Sequence, residues 1–104
     1  MDYAEIRHRI TQCRFTDHAR REMEEEPLGV IYVGEALQVL DTGEIIEEYT
    51  DDKPYPSCLV VGWTEAKRPL PIVCAPVPTE DRLIIITTYQ PDPTRWQSDF
   101  KRRK

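Results

Sequence analysis

The residues best suited to chemistry are His18, Arg21, Arg68 and Tyr89. His18 falls in the first turn of a helix expected over residues 17–26, where free backbone N–H groups favour a bound phosphate and an imidazole titrates near neutral pH. Arg21 sits three positions on and shares that side of the helix, whereas Arg20 points elsewhere. Arg68 leads into a strand and Tyr89 closes the last one. Acid–base groups beside cations are what breaking a phosphodiester next to a 2′-hydroxyl requires: one proton removed, charge offset on phosphorus, one proton returned to the leaving oxygen. A capping or packing role for His18 competes with this reading, because first-turn polar residues often serve local hydrogen bonding alone.

A second group suits binding rather than catalysis. Lys53 and Tyr55 lie in the segment Lys53-Pro54-Tyr55-Pro56, which proline stiffens enough to hold side chains over a groove. Arg95 and Trp96 follow the last strand, where they could grip a phosphate and stack on a base. Tyr55 as a loop anchor and Trp96 as core packing are the plainer alternatives. No Ser/His/Asp triad can be assembled, and no glycine-rich phosphate loop is present. Cys13, Cys58 and Cys74 are odd in number and widely spaced, without a C-x-x-C pair, so they read as buried free thiols. Asp51 and Asp52 read as a solvated turn. Neither a metal nor another cofactor is expected.

These residues must be positioned by one small core, since 104 residues leave no room for a second. The expected domain covers residues 1–93, with 94–104 as a basic tail. The composition, 39% hydrophobic and 32% charged, is that of a soluble protein. No apolar run is long enough to cross a bilayer, and the N-terminus lacks the pattern of a signal peptide, so a cytoplasmic location is expected. Lys101, Arg102, Arg103 and Lys104 are all basic, and taking those four charges from the net −5 leaves −9 on the rest. Such a balance excludes a general nucleic-acid coat and favours a basic protein partner.

Hydrophobic spacing predicts three helices, over about residues 3–12, 17–26 and 30–41. Thr16 caps the second and Pro27 stops it. The run Glu22, Glu24, Glu25, Glu26 opposes the helix macrodipole at that end, and either faces water or serves another purpose. Extended segments follow at 44–49, 57–64, 70–75 and 83–89, with connections short enough for an antiparallel meander. Helices first and strands after predicts an α+β fold, with about three helices packed on a four-stranded antiparallel sheet.

Several strings resemble a known family: Phe15-Thr16-Asp17-His18-Ala19-Arg20-Arg21-Glu22-Met23, Ala36-Leu37, Gly43-Glu44-Ile45-Ile46-Glu47 and Thr88-Tyr89-Gln90-Pro91. Their order and spacing look like domain-of-unknown-function family 4258. The stretches Asp51 to Val60, Arg68-Pro69-Leu70-Pro71 and Pro91 to Trp96 resemble one recurring subgroup of it. The resemblance implies a fold similar to the RelE, ParE, BrnT and MqsR-like toxins. It also implies a toxin-like component of a bacterial type II toxin–antitoxin pair, with a zinc-finger antitoxin similar to MqsA as partner. The resemblance does not itself imply a reaction; taken with the acid–base and cation set of His18, Arg21, Arg68 and Tyr89, the expected activity is that of a metal-independent RNA endonuclease, cutting RNA in the manner of an mRNA interferase. A non-catalytic protein-binding module and a degenerate toxin are the alternatives. Family members often carry arginine four residues after the motif histidine, where this chain has Glu22.

Overall fold

A computed structural model describes residues 1–91; Arg95 and Trp96 lie outside the described residues. The order of elements is α1 (Ala4–Arg7), a 3-10 turn (Ile10–Gln12), β1 (Cys13–Phe15), α2 (Asp17–Glu25), α3 (Val33–Thr42), β2 (Glu44–Tyr49), β3 (Ser57–Val61), β4 (Ile72–Val77), a second 3-10 turn (Pro78–Glu80) and β5 (Arg82–Thr88). The α+β class and the three helices are as expected. The sheet is not. It has five strands in the order β1-β5-β4-β3-β2, and β1 runs parallel to β5, pairing Cys13 with Leu83 and Phe15 with Ile85.

The four later strands do form the expected antiparallel meander. The extra strand is only three residues long and pairs with a segment some seventy residues away, so no local period marks it. It also truncates the first helix. The chain leaves α-helical geometry after Arg7 and reaches β1 through the 3-10 turn, rather than continuing as helix to residue 12. The other boundaries move by a few residues: α3 begins at Val33 instead of 30, β3 stops at Val61, and β4 runs from Ile72 to Val77.

Thr16 caps α2 as its type predicts, its Oγ1 accepting from the Ala19 N–H at 3.0 Å. The same hydroxyl donates to the Ile86 carbonyl at 3.2 Å, and the Thr16 N–H reaches the Ile85 carbonyl at 3.0 Å. The start of α2 is thereby sewn to β5. Pro76 is tolerated inside β4 because the pairing with β3 ends at Cys74, so its missing N–H falls beyond that ladder.

The three helices cover one face of the sheet. Ile6 of α1, Ala19 and Met23 of α2, and Ala36, Val39 and Leu40 of α3 pack on Cys58, Val60, Ile72, Cys74, Leu83 and Ile85. Gly43 lets α3 close down on β3, since a Cβ there would lie 2.7 Å from both the Val39 and Val61 carbonyls. The opposite face carries a smaller apolar cluster of Leu59 and Val61 with Ile46, Tyr49, Val73 and Tyr89 packed against them.

Candidate functional site: a cationic concavity beside the first strand

Beyond that smaller cluster the sheet opens into a concavity of about 670 Å³, a volume typical of sites that take a small organic ligand. Its floor is Ala75 of β4 with Ile84 and Ile86 of β5, Ala75 and Ile84 being direct cross-strand partners. Arg14 of β1 and Arg20 of α2 line one side, while Lys53 and Tyr55 reach in from the β2–β3 loop. Alternation along β1 sends Phe15 to the helix-covered core and Arg14 the other way. Three cations thus meet one carboxylate, Asp17, in the lining.

Arg14, Arg20 and Lys53 form no ion pair among the described residues. What sets these three apart, in a chain of net charge −5, is that they line one concavity. Cations over an apolar floor with a tyrosine at the rim can hold an anion whose neighbouring group is flat and apolar.

The other candidates are distributed elsewhere. His18 is exposed, its Nε2 3.3 Å from Glu22 Oε1, and Glu22 also accepts from the Thr87 hydroxyl. Burial raises the Glu22 carboxyl above its ordinary range, and the facing His18 offsets this only in part. At 100° per residue His18 and Arg20 stand roughly 160° apart around α2, which places the histidine on the flank away from Arg20. Arg21 is exposed and does not line the concavity. Tyr89 belongs to the smaller apolar cluster.

Arg68 is occupied by structure. Its Nε donates to Gln90 Oε1 at 2.7 Å, Nη1 to the Val30 carbonyl at 2.9 Å and to Glu35 Oε1 at 3.2 Å, and Nη2 to the Gly29 carbonyl. Glu35 in turn accepts the Tyr32 N–H at 3.0 Å, and Glu26 accepts the N–H groups of Gln90 and Leu28. One side chain therefore ties the end of β5 to the α2–α3 connection and the start of α3. Gly29 takes φ 120° at that anchor, a region that side chains other than glycine's rarely enter.

Arg14 and Arg20 were not among the sequence candidates for the concavity. Arg14 depends on β1, which has no local signature, and Arg20 is distinguishable from Arg21 only once the packed face of α2 is known. The cysteines offer little nucleophilicity. Burial pushes the Cys13 thiol up to about 11, while Cys58 and Cys74 are buried core thiols facing each other at 4.0 Å. Among the described residues no group of three or more His, Cys, Asp or Glu could hold a metal ion, and no helix is long and apolar enough to cross a membrane.

Residues 15–90 match the family described as a domain of unknown function, DUF4258. The chain belongs to that family. No curated protein and no solved structure matches it. The matched span of DUF4258 begins at Phe15 and ends at Gln90, so it contains both the Arg68 anchor and most of the concavity's lining.

Proposed function

We propose that the protein is the toxin-like member of a toxin–antitoxin pair and that its target-facing surface is the concavity, which grips RNA. The observation that carries this reading is the convergence of Arg14, Arg20 and Lys53, which make no ion pair among the described residues, over the apolar floor of Ala75, Ile84 and Ile86. A phosphodiester would take the three cations, and an unstacked base would lie on the floor against Tyr55. In the catalytic form of this reading the bound strand is cut without metal, His18 and Glu22 being the acid–base pair nearest along α2.

The position of His18, on the flank of α2 away from Arg20, favours a second reading in which the protein binds without cutting. The two separate in one experiment. Purified protein is mixed with single-stranded cellular RNA in the absence of divalent metal, and binding is followed by fluorescence anisotropy and cleavage by gel. The catalytic form expects strand scission that disappears in both Arg20→Glu and His18→Ala. The binding form expects association that Arg20→Glu weakens about tenfold, with intact RNA and no effect of His18→Ala. RNA that neither binds nor breaks removes both.

A further inference from the structure

Six large hydrophobic side chains stand exposed among the described residues, and four of them, Leu28, Val30, Tyr32 and Val33, fall within six consecutive positions. Tyr32 is 67% and Leu28 58% exposed. A scattered exposed apolar residue needs no explanation, but a contiguous group does. The connection that carries them is held from behind. Ile31 is buried in the core, its N–H bonded to the Met23 carbonyl at 2.9 Å. Arg68 takes the Gly29 and Val30 carbonyls, and Glu35 takes the Tyr32 N–H. The backbone's polar groups are thus engaged inward while the apolar side chains are presented outward. Gly34 follows in the first turn of α3, where a Cβ would meet nothing within 4 Å, leaving room for another backbone to approach.

The last turn of α2 leads straight into this patch. Of its acidic run, Glu22 is engaged by His18 and Thr87, and Glu26 by the Leu28 and Gln90 N–H groups. Glu24 and Glu25 are exposed and make no ion pair among the described residues. Two carboxylates without an ion pair among the described residues, at the negative end of a helix, are a local cost, and a cation from a partner would relieve it.

We infer that the segment from Glu24 to Gly34 is a docking surface for a basic amphipathic helix of a partner protein, whose apolar face covers Leu28, Val30, Tyr32 and Val33 while its lysines or arginines meet Glu24 and Glu25. Charge selects this occupant over a second copy of the chain. In a twofold pairing through the same patch, Glu24 and Glu25 of each protomer would lie along the rim of one interface, setting like charges together. The surface shares no side chain with the concavity's lining, so the inference goes beyond the RNA reading and stands or falls separately.

The probe is a synthetic amphipathic helix of leucine and lysine, with a leucine–glutamate helix of the same pattern as control, titrated into the full chain. Backbone amide shifts locate the contact, and calorimetry gives the affinity. The expected result is perturbation centred on residues 24–35 by the lysine peptide alone. Leu28→Ser with Tyr32→Ser should weaken binding about tenfold or more, and Glu24→Lys with Glu25→Lys should weaken it and flatten its salt dependence. All four positions are exposed, and amide spectra of the variants verify the fold. Shifts centred elsewhere, equal binding of both peptides, or indifference to both double substitutions would overturn the inference. So would a dimer of the free chain that Tyr32→Ser dissociates, which would assign the patch to self-association.

Discussion

Arg68 and Arg20 carry the same guanidinium to opposite ends. The side chain of Arg68 is 16% exposed and its donors are taken by two backbone carbonyls, a glutamine and a glutamate. Arg20 stands exposed at the edge of a concavity with no ion-pair partner among the described residues. The first is consumed by the fold, and the second is held available. A cation that organises three chain segments cannot also follow a substrate, because each donor it released would strand a partner. A cation with no ion-pair partner among the described residues contributes little to stability through its charge and is available to bind from outside.

This contrast predicts opposite responses to similar substitutions. Arg68→Ala removes the charged hydrogen bonds to Glu35 and to the Gly29 and Val30 carbonyls, and should lower stability by about 2 kcal/mol, read from urea denaturation. Arg68→Lys should recover less than half of that, since an ammonium cannot span the same fork of acceptors. Full recovery by lysine would show that charge alone, rather than the fork geometry, holds the anchor. Arg14→Glu, Arg20→Glu and Lys53→Glu should each change stability by no more than about 0.5 kcal/mol. Each should also remove roughly one unit from the salt dependence of RNA binding. A large stability loss at Arg20 would erase the distinction between the two regions.

The smallest effect is expected at Glu22. Burial raises its folded carboxyl above the unfolded value. The folded state therefore holds the proton more tightly, and stability declines as pH rises from the unfolded pKa through the folded one. Glu22→Gln should match wild type below about pH 4 and become modestly more stable than wild type as the pH is raised toward neutrality. Thermal melts across that range test the sign. A wild-type advantage at neutral pH would mean that the contacts with His18 and Thr87 outweigh the burial of the charge.

The legible part of the fold is the part carried by local pattern. Thr16 announced the start of α2 and Pro27 its end, and the apolar spacing of Val30, Val33, Leu37 and Leu40 marked α3, although Val30 falls before its first turn. The extended segments expected at 57–64 and 83–89 coincide with β3 and β5, which lie inside the sheet. The site was less legible. Lys53 and Tyr55 were read from a proline-bounded loop, and they do line the concavity. The resemblance that singled out Arg68 and Gln90 pointed at residues bonded to each other at 2.7 Å, a relation that motif spacing does not express.

Sequence by itself determined the second and third helices, the four-strand meander, the α+β class and the family. Each follows from period, capping residues, turn residues or motif order within a few neighbouring positions. Tertiary structure alone decided that Cys13-Arg14-Phe15 is a strand, because its partner among the described residues is β5 and a three-residue strand has no stability until that partner is present. From that pairing Arg14 acquired its face, and α2 was rotated so that Arg20 rather than Arg21 borders the concavity. The choice between a cation spent on the fold and one left for a ligand depends on which acceptors lie within about 3 Å, and only the packed chain brings them there.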